Sequence, residues 1–503
     1  MCARRPVGVS SGAAGALGEL AVGALAPRRT VAIWLALIPC WSSALAQAAP
    51  LSPDQPWQPA AELRIEADLQ RVATARPSIE ASKTYSLAEL IDLAESHNPE
   101  TRAAWERARA QAAALGVARS ELYPTLAAAA LSQTSRSRIL VAERFVRETL
   151  QEFGAVLDLN YTIFDFGARG GRIDAASAQV LAANFAFNDT HRAVISQVEQ
   201  VYYRLLNTIG QGDAARASLA NAQAVQQAAE ERLDQGLATM PDVLEARSAT
   251  AQADYDLQAV VGAEEIARGD LATAIGAAAT AAIRVQSLDQ VTVPDSIGEP
   301  VEQAIDRALA QRPDLLQQVA DLRSARARVK EARAAYYPAL SLDASPAIAS
   351  LHGVQRPAPW EHTTDLVGGV SLSLQWPVFD GGARRNRLAQ ARADVRAAEA
   401  ETNGLRNQIA DEVWTAYANL TTAFRQRRAA TALLESADQS YASALEAYNY
   451  GLRNLLDVTA AQRTLAQARS AEVLARTQVL SALADLAFRT GDAVQANATR
   501  QRP

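Results

Sequence analysis

Side chains able to do acid–base or metal chemistry near neutral pH are scarce in this chain. It holds four histidines, His97, His191, His352 and His362, and two cysteines, Cys2 and Cys40. The histidines are scattered, with no metal-ligand spacing, and the chain has no nucleophile elbow. Asp165-Phe166-Gly167 mimics a kinase triad and Gly167 to Gly171 mimics a phosphate loop, yet neither follows the catalytic context such loops require. The residues argue against an enzyme, and no metal or cofactor is expected.

The elements around these residues explain the scarcity. The chain has 503 residues, 49% of them apolar but only 6% aromatic, and a net charge of −6. No dense Lys/Arg block is present, which argues against nucleic acid as a partner. No apolar run approaches the roughly 20 residues that a membrane-spanning helix needs. Much of the apolar mass is alanine, which suits closely packed helices.

The first segment reads as an address. Arg28-Arg29 precede the apolar run from Val31 to Ile38, and Ala44-Leu45-Ala46 supplies the small residues of a cleavage site, so residues 1–46 are predicted to be a secretory signal peptide. Twin-arginine export and lipidation of Cys40 are weaker readings, because Pro39 beside the cysteine makes a poor lipidation motif. Four arginines and Glu19 leave with the signal, taking the net charge from −6 to −9. Both cysteines leave too, so the mature chain has no thiol for a disulfide or a metal.

The remainder repeats itself once. Asn98-Pro99-Glu100 recurs as Arg312-Pro313-Asp314, and Tyr123-Pro124 as Tyr337-Pro338, both at an offset of 214. Phe164-Asp165 recurs as Phe379-Asp380, Gly236 as Gly451, and Asp242-Val243 as Asp457-Val458, at an offset of 215. Such spread anchors point to duplication. The expected organisation is a Pro-rich leader (47–83), a first repeat (84–280), a linker (281–300), a second repeat (301–490) and a polar tail (491–503).

Each half follows the same grammar of a short helix, a medium helix, two strands with a loop, a very long helix and another helix. Ser86-Leu87-Ala88-Glu89 resembles a capping box, and Pro99 and Pro313 suit a first helical turn. Leu157, Leu159, Tyr161 and Ile163 alternate with Asp158, Asn160 and Thr162. In the second half Leu366, Val370, Leu372, Leu374 and Trp376 stand against Ser371, Ser373 and Gln375. Period-two runs of about 10 residues, apolar on one face and polar on the other, fit transmembrane strands with a wet lumen. The runs after Pro124 and Pro338 are weaker partners, and loops are expected near 136–151 and 351–364. After Gly167 no proline intervenes until Pro241, enough for a helix of about 100 Å at 1.5 Å per residue. Four strands cannot close a barrel, and open edges are not tolerated in lipid, so the chain must oligomerise.

With these motifs in order, the chain resembles the TolC family of outer-membrane ducts. The resemblance is carried by two Phe-Asp-x-Gly junctions, at Phe164 to Gly167 and Phe379 to Gly382, and by two turns, Gly236 to Val243 and Tyr448 to Val458. It covers essentially residues 84–490. It implies a mainly helical fold with membrane strands: a homotrimer with a twelve-stranded β-barrel continuous with a twelve-helix α-barrel in the periplasm. A periplasmic adaptor and an inner-membrane pump are the implied partners, with the outer-membrane lipid around the barrel. The adaptor-facing tips match Gly236, Leu237, Gly451 and Leu452. The family's periplasmic gate matches Asp242, Tyr448 and Arg453, with Arg453 and Tyr448 expected to bond Asp242. Asp457 matches one of two acidic positions ringing the entrance; Ala460 stands at the second, and Glu245, its repeat counterpart, is a candidate compensation.

The expected function is a passive outer-membrane conduit exporting small molecules. A duct for type I protein secretion has the same architecture, and a soluble periplasmic coiled-coil scaffold is the rival from another class. The aromatic strand ends Tyr161, Phe164, Trp376 and Phe379 favour the membrane reading.

Overall fold

The computed structural model describes residues 77, 79–141, 143–294, 296, 298–355 and 359–492. The expected signal peptide, most of the expected leader and the tail beyond Asp492 lie outside the described residues. Two short helices open each half: α1 (Leu87–His97) and α2 (Pro99–Ser120), then α5 (Val301–Gln311) and α6 (Pro313–Ala334). Each half also has a long helix, α3 (Ala168–Asp234) or α7 (Ala383–Asn449), folded back on α4 (Met240–Ala274) or α8 (Leu455–Thr490). The two long helices have 67 residues each, or about 100 Å.

Local chemistry sets the boundaries. Ser86 and Glu89 form a reciprocal capping box at α1. Pro99 and Pro313 occupy the first turn of α2 and α6, where the missing N–H costs nothing. Arg284–Val285 (β4) pairs in parallel with Thr84–Tyr85 (β1), fastening the start of the first half to its end.

The buried core is thin and drawn out along the helices. One cluster gathers Leu90, Val198, Tyr202, Leu205, Leu271 and Ile283. A second, near the far end of the long helices, gathers Val225, Ala229, Val243, Tyr441, Tyr448 and Val458. Small residues permit close approach: a Cβ on Gly171 would lie 2.7 Å from the Glu331 backbone nitrogen, so α3 and α6 cross there with no room for a methyl.

The strands are longer than expected in the first half and broken in the second. Thr125–Val141 (β2) and Arg144–Phe164 (β3) form one antiparallel hairpin. The second half supplies β5 (Ala339–Ala344), β6 (Ala347–Gln355), β7 (Glu361–Val367) and β8 (Val370–Gln375). β3 pairs with both β5 and β6, and these pair in turn with β8 and β7. Two physical strands are therefore interrupted at Ser345-Pro346 and Gly368-Gly369. Proline cannot donate to a ladder, and Gly368, at φ 150°, lies so close that a Cβ would meet Ser345 O at 2.6 Å. Ser345 N donating to Gly369 O at 3.0 Å and Leu157 N donating to Pro346 O at 2.9 Å carry the sheet through the break. The expected loops near 136–151 and 351–364 are corrected by this: most of both stretches is strand, because backbone pairing extends beyond the apolar alternation.

The register sorts the two faces. Tyr161, Leu342 and Leu372 share a row, as do Leu159, Ala344 and Val370. On the other face Asn160, Asp343 and Ser371 share a row, and Thr162, Ser341 and Ser373 the next. Polar side chains there bond across strands: Asn160 Nδ2 to Asp343 Oδ1, and Ser341 Oγ to Ser373 Oγ at 2.7 Å. Leu366, Val370, Leu372 and Leu374 are all more than 60% exposed on the apolar face, a large uncovered patch.

Candidate functional site

The far end of the helical pairs is built by two matching turns. At the end of α3, Gly236 N donates to Leu233 O at 2.9 Å and Leu237 N to Arg232 O at 2.8 Å. At the end of α7, Gly451 N donates to Tyr448 O at 2.9 Å and Leu452 N to Ala447 O at 2.8 Å. Both glycines are left-handed, at φ 72° and 73°, as this helix stop requires. The turns leave Leu237 63% and Leu452 78% exposed, with Met240, Leu244, Tyr450 and Leu456 also exposed nearby.

Within the chain, Asp242 lies in the first turn of α4. Its Oδ2 accepts from Thr239 Oγ1 at 2.7 Å and Thr239 N at 2.8 Å, a capping box that holds its carboxyl below the usual range. Tyr448 is buried, and its hydroxyl has no hydrogen-bond partner among the described residues. Burial pushes that hydroxyl up, Arg232 works against the shift and Asp242 adds to it, so the carboxylate lies within electrostatic reach. Arg453 is exposed and makes no hydrogen bond or ion pair among the described residues. The single chain thus places the three gate candidates in one region without joining them.

Among the acidic candidates, Asp457 is exposed, and its amide is capped by Asn454 Oδ1 at 2.9 Å. Glu245 pairs with Arg463 at 3.3 Å, bridging α4 and α8, so much of its charge is already countered. A further cross-link rests on a residue the sequence did not single out. Arg232 Nη1 donates to Tyr448 O at 2.8 Å and to Asn449 O at 3.3 Å, and its guanidinium lies 4.7 Å from the Tyr448 ring centroid. A basic residue in the last turn of a long helix was the available signal, since cations suit the C-terminal end of the helix dipole.

At the opposite end, each Phe-Asp-x-Gly junction turns a strand into a long helix. Asp165 accepts from Gly167 N at 3.1 Å, Arg169 N at 2.8 Å and Arg169 Nε at 3.1 Å. Asp380 accepts from Gly382 N at 3.1 Å, Arg384 N at 3.0 Å and Arg384 Nε at 2.9 Å. The arginines then reach back, Arg169 to Ile163 O near the end of β3 and Arg384 to Val378 O just beyond β8, each at 3.2 Å. The aspartates are structural clamps, which accounts for the kinase-like triad.

A membrane-sized sheet, polar on one face, runs into 67-residue helices through duplicated clamps. Outer membrane efflux protein is the description of the family that matches residues 90–277 and 304–492. The chain belongs to that family. Protein CyaE of Bordetella pertussis is 29% identical over 411 residues, covering 79% of this chain and 83% of that protein. The pyoverdine export outer membrane protein OpmQ of Pseudomonas aeruginosa is 28% identical over 344 residues, covering 67% and 69% respectively. The solved structure of the outer-membrane channel OprN superposes with a TM-score of 0.71 at 22% identity, covering 83% of this chain and 96% of that one.

Membership fixes the setting: an outer-membrane protein with its helical part in the periplasm, in a family of transport ducts rather than enzymes. No helix among the described residues is long and apolar enough to cross a membrane. In this efflux-family protein the scattered histidines do not all stay apart: His352 and His362 face each other across β6 and β7.

Proposed function

We propose that this chain is the exit duct of a tripartite efflux system, passing small molecules from an inner-membrane pump through the periplasm to the outside. The observation that carries the reading is the sheet, which has one polar face, one apolar face and, among the described residues, free edges at β2 and at β7/β8. Free edges are not tolerated in hydrocarbon. Three copies joined edge to edge make a twelve-stranded barrel with the polar rows inside, so the working unit is a homotrimer. The same threefold arrangement gathers α3, α4, α7 and α8 of each copy into a twelve-helix tunnel, giving partners to exposed side chains such as Tyr255, Ile266 and Trp414.

The chain is a passive conduit, and its partners supply energy and choice of cargo. The exposed apolar tips at Gly236-Leu237 and Gly451-Leu452 face a periplasmic adaptor. OpmQ's role in pyoverdine export favours a small-molecule cargo here. In the trimer, Arg453 and Tyr448 of one hairpin bond Asp242 of its neighbour and hold the entrance closed. Arg453, exposed and without a hydrogen bond or ion pair among the described residues, supports this; the Tyr448 hydroxyl has no partner among the described residues but is buried, so the tip must shift for it to reach a neighbour. Exposed pairs of this kind contribute about 0.2–1 kcal/mol each, a barrier that an adaptor favouring the open state can overcome. Asp457 gives the entrance a preference for cations, to which Glu245, paired with Arg463, adds less.

Single-channel recording of the detergent-extracted protein in a planar bilayer tests the proposal. The expected result is a small, cation-selective conductance that rises in Arg453→Ala, from a species that cross-links as a trimer. Unchanged conductance in the variant discards the gate, and a protein released without detergent that forms no channel discards the duct in favour of a soluble scaffold.

A further inference from the structure

We propose that His352 and His362 form a two-histidine site for a borderline divalent cation such as Zn²⁺, Ni²⁺ or Cu²⁺, clamping the β6–β7 hairpin. The two residues are direct cross-strand partners in the antiparallel ladder. Their rings lie 5.6 Å apart between centroids, with planes 16° from parallel. Two imidazoles on one tetrahedral zinc, at about 2.0–2.1 Å per Zn–N bond, hold their ring centres about 5 Å apart, close to the observed separation; the stacked rings must turn about their side-chain torsions to aim one nitrogen each at a shared ion.

Three further observations favour a ligand here. Neither ring makes a hydrogen bond among the described residues, and His352 Nδ1 is shielded from solvent with no partner. An orphaned polar atom of this kind calls for an explanation. Phe153 packs edge-on against His352, with centroids 6.0 Å apart at 85°, and restricts how far that ring can swing. The two other histidines are already engaged: His97 Nδ1 lies 3.1 Å from Leu93 O, and His191 Nε2 lies 3.1 Å from Glu95 Oε1.

The register locates the site. His352 lies on the same face as Ile348, and His362 on the same face as Leu366. It shares a row with Gln151 and stands one row beyond Phe153, just past the apolar rows. The hairpin belongs to the sheet edge formed by β7, which has no strand partner beyond it among the described residues. Two protein ligands leave the remaining coordination positions open, as in sites that exchange metal or accept a further ligand. The placement of this site at the outer rim of the membrane rests on the duct reading; the pairing of the two histidines does not.

The test is calorimetric titration of Zn²⁺ into the full chain, purified in detergent without a polyhistidine tag. Wild type is expected to bind one Zn²⁺ per chain and to gain thermal stability. His362→Gln and His352→Gln are expected to weaken binding by about tenfold or more and to abolish the thermal gain. A His97→Gln/His191→Gln variant is expected to bind as wild type does, which also shows that the titration reads this pair. Equal binding by wild type and His362→Gln, or none by wild type, overturns the site. Failure of the duct reading has a separate signature, absence of conductance with zinc binding intact.

Discussion

The Arg232 guanidinium lies 4.7 Å from the centroid of the Tyr448 ring and donates to the Tyr448 carbonyl at 2.8 Å. One cation thus joins the last turn of α3 to the last turn of α7, tying the two helical pairs at their tips. A cation–π contact contributes about 0.5–1 kcal/mol, and a hydrogen bond from a charged donor roughly 1.5–3 kcal/mol. Arg232→Ala is therefore expected to loosen the tips within each chain and raise single-channel conductance. Arg232→Lys, which keeps the charge but loses the planar fork, should fall between the variant and wild type.

Tyr448 separates this intrachain link from the proposed gate. Its carbonyl and ring hold Arg232, whereas its hydroxyl is buried and unpartnered among the described residues. Tyr448→Phe keeps the first link and deletes only the hydroxyl. The expected outcome is increased conductance with an unchanged melting temperature. Unaltered conductance would show that the hydroxyl has no partner across the trimer.

The helical framework was legible in the sequence because its signals are local. Capping residues, first-turn prolines, the two glycine stops and the repeat offset of about 215 are each read within a few positions, and the helices start and stop where these residues stand. The sheet was only half legible. In β2 the run Ala127 to Ala130 has no polar alternation, and Pro346 and Gly368 interrupt strands whose register nevertheless continues. Contacts set by register or by tertiary packing were invisible: His352 and His362 pair within a stretch that reads as a loop, and Arg232 lies 216 residues from Tyr448. The gate candidates came from resemblance, and the chain by itself assigns Asp242 to a helix cap.

Gly171 gives a packing prediction. An added methyl would lie 2.7 Å from Glu331 N and 3.0 Å from Glu331 Cα, both backbone atoms that cannot turn aside. Gly171→Ala is expected to push α3 from α6 and to cost about 1–3 kcal/mol, the usual range for overpacking. Gly262→Ala, on α4 with open space around it, is the control and should match or slightly exceed wild type, since alanine favours helix. Thermal denaturation of the detergent-extracted protein followed by circular dichroism distinguishes the two. Equal melting temperatures would mean that the crossing is looser than the backbone distance implies.

The buried charges around Arg312 lead to a pH prediction. Arg312 is 5% exposed and pairs with Asp314 and Glu412, each at 2.7 Å, while Arg489 also reaches Glu412 at 3.1 Å. Burial alone would raise both carboxyls, but the Arg312 hydrogen bonds and the neighbouring cations outweigh it and hold both below their usual range. A folded-state pKa lowered in this way gives stability that is complete above the unfolded value, near 4. That stability is lost as pH falls through the lower folded value. At pH 7, Arg312→Ala leaves two partly buried carboxylates without their main partner and is expected to cost about 3–5 kcal/mol. Below about pH 4 those carboxylates protonate in the variant, so its deficit against wild type should shrink. Melting curves of both proteins from pH 7 to pH 3 check this. Convergence at the acid end supports charge pairing as the source of the stability, whereas a constant gap would assign Arg312 to packing alone.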